Sequence, residues 1–289
     1  MRASPVGGLA VAAALAVLAS PAVTQGRNGQ RPQAEITPEQ LREQTRVDTS
    51  IPLSPPPKVD RTTSRNWPLT NFDPANSRYV ALDQINTDNI QSLAVRWLYH
   101  TRNSASTPIV VDGLMYVTTP ESVVALDATT GRVVWRNQAA GSGRGAAYGD
   151  GRIFVARDAR VMALDARTGE LVAGFGEKGV SHVLTEVLKA RFPRLGKPAE
   201  WGYSFNMAPQ YFDGILIVAT ALSENHIPGG LVLALDGRTG RLLWTFAGVP
   251  QGPEDEGWEI AKDTWVGGVR HGGGVWRRRP SMRRRERFT

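Results

Sequence analysis

The chain has 289 residues, 41% of them hydrophobic, no cysteine, and a formal net charge of +7 at neutral pH. Without cysteine, disulfides, thiolate metal sites and covalently attached haem are all excluded. The charge is local: Arg277 to Thr289 holds seven Arg and one Glu, hence +6 of the +7, and Arg2 accounts for the rest, whereas a phosphate-binding surface needs basic groups on a folded face, so no nucleic-acid partner is expected.

Residues 1–25 have the shape of a secretory leader, with Arg2, an apolar run from Leu9 to Leu18, and Ala19-Ser20-Pro21-Ala22 suited to cleavage. The run is short for a membrane span. Export is therefore expected, with an uncleaved N-terminal anchor as the alternative. Residues 26–65 are rich in Gln, Pro, Arg and Thr and lack apolar periodicity, which marks an extended arm or linker.

Beyond residue 65 the pattern becomes that of short strands. One phrase occurs three times: Ala125-Leu126-Asp127-Ala128-Thr129-Thr130-Gly131, Ala163-Leu164-Asp165-Ala166-Arg167-Thr168-Gly169 and Ala234-Leu235-Asp236-Gly237-Arg238-Thr239-Gly240. Self-similarity of this kind marks supersecondary units that bury their apolar faces only by stacking on one another. Upstream of each copy, a β-rich run is broken by Asp112-Gly113, Asp150-Gly151 or Asp213-Gly214, the signature of a tight hairpin. Each unit thus reads as strand, turn, strand, loop, strand, turn, strand.

Trp135 and Trp244 stand four residues after the Gly of the first and third phrases, where the middle copy has Ala173. A tryptophan at that place suits a wedge between adjacent sheets, with its N–H on a carbonyl. The Asp-to-Asp step is 38 residues from Asp127 to Asp165 and 71 from Asp165 to Asp236, so the third unit carries an insertion. Within it Val183, Leu184, Val187, Leu188 and Phe192 fall at helical spacing before Pro193. The expected fold is all-β, a β-propeller of four-stranded blades over residues 66–276, incomplete at three to four blades. The competing expectation is an antiparallel meander with coincidentally similar turns.

Together with these repeats, the lead-in Trp67-Pro68, Asn76-Ser77-Arg78-Tyr79 and Leu82-Asp83-Gln84-Ile85-Asn86 resembles that of the quinoprotein dehydrogenases, pyrroloquinoline-quinone-dependent oxidisers of alcohols and sugars. The resemblance runs from about Asn66 to Trp276. It implies an eight-bladed propeller with the quinone and a Ca²⁺ ion near the axis, the hard cation acting as a Lewis acid through oxygen ligands. It also implies roles for four residues. Arg144, in Arg144-Gly145-Ala146-Ala147-Tyr148, matches the arginine at the cofactor's rim, where a fork of donors suits carboxylates; the alternative is a surface arginine beside a turn. Asn206 stands where the family has a threonine hydrogen-bonded to the quinone. Glu224 resembles the Ca²⁺-ligating glutamate, the alternative being an exposed loop residue. Trp276, after Gly272-Gly273-Gly274-Val275, resembles the tryptophan on which the quinone stacks.

The match also breaks at identifiable places. The glutamate expected before the first Thr-Pro is replaced by Ala105, and the adjacent-cysteine pair is missing. The Asn-Pro motif with the second Ca²⁺ ligand and the catalytic Asp would follow Trp276, where the sequence instead reads Arg277-Arg278-Arg279-Pro280. No catalytic residue is therefore assigned. Residues 277–289 are expected to be a disordered or out-of-frame tail, and the chain an inactive N-terminal fragment of a periplasmic dehydrogenase for alcohols or aldoses that passes electrons to a separate cytochrome or to membrane quinone. The alternative is a non-catalytic propeller scaffold of the cell envelope.

Overall fold

The computed structural model describes residues 66–73, 76, 78–80, 82–101, 106–194, 196–220, 228–265 and 270–275. The chain divides into two units, Met1–Pro55 and Pro56–Thr289, and all of the described residues belong to the second. The expected leader, arm and Arg-rich tail lie outside them.

The described chain forms three four-stranded antiparallel sheets, each a plain meander in chain order. The first comprises β1 (Ile109–Val111), β2 (Leu114–Thr118), β3 (Val123–Asp127) and β4 (Val133–Asn137). The second comprises β5 (Ala147–Gly149), β6 (Arg152–Arg157), β7 (Arg160–Asp165) and β8 (Val180–Ser181). The third comprises β9 (Gln210–Phe212), β10 (Ile215–Ala219), β11 (Leu231–Asp236) and β12 (Leu242–Ala247).

The expected hairpins form at all three Asp-Gly pairs. Val111 pairs with Leu114, Gly149 with Arg152 and Phe212 with Ile215, leaving two-residue loops. Both loop residues have positive φ in each case, as at Asp112 (49°) and Gly113 (79°). That is the mirror-image turn whose twist matches paired strands.

The repeated phrase is a self-capping turn. The Asp127 carboxylate accepts from Thr129 N at 3.0 Å, Thr130 N at 2.8 Å and the Thr130 hydroxyl at 2.9 Å. Asp165 and Asp236 repeat the two backbone contacts. The phrase is also tied to its own hairpin, since Ala128, Ala166 and Gly237 donate N–H to the carbonyls of Gly113, Gly151 and Gly214. Its final glycine has two reasons to be glycine. Positive φ is one (71° at Gly131, 77° at Gly169, 72° at Gly240), and an aromatic ring laid against its α-carbon is the other. A Cβ would stand 2.6 Å from Trp97 at Gly131, 2.4 Å from Trp135 at Gly169 and 3.0 Å from Phe175 at Gly240.

These rings are the wedges between sheets. Trp135 is buried and donates its indole N–H to Ala166 O at 3.0 Å. Trp97 does the same to Ala128 O at 3.1 Å, across an identical separation of 31 residues. The segment around Trp97 therefore stands to the first sheet as β4 stands to the second. In the middle copy the chain detours after Leu171 and Val172, pairs again as β8, and supplies Phe175 where Ala173 is too small. Trp244 departs from the expected wedge: it is 46% exposed, because no described sheet packs against that face of β12.

Alternation along the strands sorts side chains into separate layers. Val123 and Ala125 face the second sheet, joining Ile153, Val155, Met162 and Leu164. Val124 and Leu126 face the other way, under Trp97 and Tyr99. Val161 and Ala163 meet Leu216, Val218, Leu233 and Leu235 of the third sheet. The expected helix forms as Val183–Arg191 and buries Val183, Leu184, Val187 and Leu188 in that same layer. Strands covered on both faces read as continuous apolar runs, and Val-Val-Ala-Leu of β3 is one.

Candidate functional site

An antiparallel meander returns to the same end after every second strand. The leading segments 138–146 and 202–209 therefore lie with the described parts of the second-to-third connections, 119–122, 158–159, 220 and 228–230, at one loop-bearing end. The Asp-Gly and Thr-Gly turns occupy the opposite end. Of the four expected site residues, Arg144 and Asn206 are described, and both sit at the loop-bearing end. Glu224, in the β10–β11 connection by sequence, Trp276 and Ala105 lie outside the described residues.

Arg144 is positioned from the first sheet. Ser142, fully buried, donates its N–H to Thr119 O at 2.8 Å, and its hydroxyl accepts Arg144 N at 3.2 Å. Asn206 is positioned from the other two. Phe205, 4% exposed, bridges Asp158 after β6 and Thr220 after β10, with its N–H on Asp158 O at 2.6 Å. The two side chains then clasp: Arg144 Nε donates to Asn206 Oδ1 at 2.7 Å. Such a hydrogen bond fixes the plane of the guanidinium.

The Asn206 side-chain oxygen accepts from Arg144, which leaves the amide nitrogen as the group that can donate to a ligand. A cleft of about 260 Å³ opens beside the pair, lined also by Ser142, Arg157 and Ser204. Arg157 spans it, donating to Pro120 O and lying 3.5 Å from the Asp158 carboxylate. Two guanidiniums with hydroxyl and amide neighbours form a donor set suited to a flat ligand bearing carboxylates. Among the described residues no three His, Asp or Glu side chains are grouped to hold a metal ion, and the expected ligand Glu224 is not among them.

The end of the β10–β11 connection is anchored by Tyr203, whose hydroxyl donates to Pro228 O; burial pushes this phenol well above its ordinary range. Sequence reasoning passed over Ser142, Tyr203, Phe205 and Thr220, all of which shape this end. Their signal was weak, since a lone Ser, Thr or aromatic in a short loop carries no periodicity.

The glucose, ethanol and alcohol dehydrogenase β-propeller domain of the PQQ type matches residues 67–278. The chain belongs to this family. Its quinoprotein propeller is 34% identical over 229 residues to the quinohemoprotein alcohol dehydrogenase ADH-IIG of Pseudomonas putida, covering 72% of this chain and 30% of that protein. The crystal structure of the quinohemoprotein alcohol dehydrogenase from Comamonas testosteroni superposes with a TM-score of 0.57 at 31% identity, over 69% of this chain and 30% of that one. A europium-containing methanol dehydrogenase superposes with a TM-score of 0.52 at 27% identity, over 65% and 32% of the respective chains. The chain thus spans about 30% of the length of the relatives it matches, and its three sheets are a partial quinoprotein propeller.

Proposed function

We propose that this propeller segment forms part of a periplasmic quinoprotein dehydrogenase that oxidises alcohols or aldoses, with pyrroloquinoline quinone and Ca²⁺ held at the loop-bearing end. The observation that carries the reading is the Arg144–Asn206 clasp, which brings two residues that the resemblance assigns to the cofactor site together at 2.7 Å on one cleft. When bound, the quinone supplies the electron sink for alcohol oxidation. Arg144 would pair with a quinone carboxylate, Asn206 would hold the guanidinium in plane, and buried Ser142 would keep the backbone of the rim in place. Glu224 and Trp276 remain the proposed cation ligand and stacking surface on sequence grounds. The leader at 1–25 supports export. The names of the relatives support an alcohol as substrate, and a separate cytochrome or membrane quinone is the proposed electron acceptor.

The Asp158 carboxylate at this end lies 3.5 Å from both Arg157 and Arg160, an ion-paired setting that does not suit a proton-accepting base, so dye reduction by the 289-residue chain with alcohols and aldoses is expected to be at background. Binding is the direct test. Absorbance titration with pyrroloquinoline quinone in the presence of Ca²⁺ is expected to saturate, and Arg144→Ala to weaken it about tenfold or more, the scale of one charge-assisted contact. A non-catalytic envelope scaffold would bind neither quinone nor Ca²⁺, and that result would replace this reading.

A further inference from the structure

Thr220 follows β10 and is fully buried. By register it stands opposite Leu231, one step beyond the pair Ala219 and Val232. In a regular antiparallel pair the two residues would exchange both main-chain hydrogen bonds. One of these is present, with Thr220 N–H on Leu231 O at 2.9 Å. The other is replaced: Leu231 N–H is taken at 2.8 Å by the Thr220 hydroxyl. The Thr220 carbonyl faces elsewhere and accepts Val275 N–H at 2.9 Å.

Thr220 joins the chain neighbours of two expected site residues. Val275 directly precedes Trp276, the expected stacking residue. Phe205, which bridges Thr220, directly precedes Asn206, the partner of Arg144. The 270–275 segment is otherwise tied nearby through Gly230 N–H on Gly272 O at 2.8 Å, where a Cβ on Gly230 would meet Gly273 O at 2.6 Å. The backbone of that segment therefore lies directly on the end of the third sheet.

We propose that the Thr220 hydroxyl is a positioning device: by standing in for its own carbonyl in the β10–β11 ladder, it frees that carbonyl to hold the segment leading to Trp276 in register with the Arg144–Asn206 clasp. The inference rests on reading the loop-bearing end as the quinone site. It concerns a residue that would not itself touch the cofactor. Valine has nearly the shape of threonine but no hydroxyl, so in Thr220→Val the Leu231 N–H must either stay buried without a partner or reclaim the carbonyl from Val275. Serine keeps the hydroxyl.

Amide hydrogen exchange of the whole chain tests this without any cofactor. In Thr220→Val the Val275 amide is expected to exchange about tenfold faster, the effect of losing one local hydrogen bond, while Leu216 and Leu233 in the β10–β11 ladder keep their protection. Thr220→Ser is expected to restore Val275 to near the parent rate. In parallel titrations with pyrroloquinoline quinone, affinity should fall in the valine variant and return in the serine variant. Unchanged Val275 exchange in Thr220→Val would overturn the proposal, as would faster exchange with unchanged quinone affinity. A parent chain that binds no quinone would end the cofactor reading instead, and the Val275 rates alone would then decide whether Thr220 registers the segment.

Discussion

Asp127, Asp165 and Asp236 each spend one carboxylate oxygen on the backbone of the following turn, and each is held below the ordinary carboxylate range by those hydrogen bonds. Thr130 N–H contributes most at Asp127, Thr168 N–H at Asp165, and the Thr239 hydroxyl at Asp236. A carboxyl whose pKa is lower in the folded state stabilises the fold above its unfolded value of about 3.9 and loses that contribution as pH falls through the lowered value. Urea unfolding followed from neutral pH downward should therefore show stability falling on the acid side, and the triple substitution of these residues to Asn should flatten that slope. An unchanged slope would remove the capping role. The glycines of the two turn types allow a sharper comparison. Gly151→Ala meets nothing within 4 Å and bears only the strain of φ at 73°, roughly 1 kcal/mol. Gly169→Ala has similar φ and in addition places a Cβ 2.4 Å from Trp135, which should cost about 1–3 kcal/mol more. Equal urea midpoints for the two variants would show that the close approach to the ring carries no weight.

Among the elements, the aromatic wedges separate what is packed from what awaits a neighbour. Trp135 is buried with its N–H satisfied, Trp97 is partly buried with the same bond, and Trp244 is 46% exposed. Substitution by Ala should therefore destabilise in that order, by about 3–5 kcal/mol at Trp135 and less than about 1 kcal/mol at Trp244, as read by denaturant unfolding. Much at this scale was legible beforehand. The three Asp-Gly hairpins, the second-to-third pairing that enters the repeated phrase, and the helix over Val183–Arg191 all follow from turn chemistry and periodicity, because those signals are local. The middle sheet was less so. Its fourth strand comes after a detour, and Phe175 replaces a tryptophan that the spacing locates at Ala173. That substitution is invisible to pattern counting because the ring reaches the same glycine surface from a different backbone position. The site was legible in the same uneven way. Arg144 and Asn206 carried enough motif context to be named, but their mutual hydrogen bond depends on Thr119, Asp158 and Thr220, which follow strands of three different sheets, and a contact assembled across sheets leaves no trace in local order.

At the scale of the molecule, three meanders in the same orientation place all their rigid Asp-Gly and Thr-Gly turns at one end and all their varied connections at the other. The repeats thus build the scaffold, while the residues that differ between repeats build the cleft, the usual division between packed elements and functional loops. The loop-bearing end of this partial quinoprotein propeller is where we propose that pyrroloquinoline quinone binds. Hydrogen–deuterium exchange with and without pyrroloquinoline quinone and Ca²⁺ tests it most directly. Protection is expected over 141–146 and 203–209, with none over the turns at 128–131, 166–169 and 237–240. Protection confined to those turns, or spread evenly over both ends, would contradict the account.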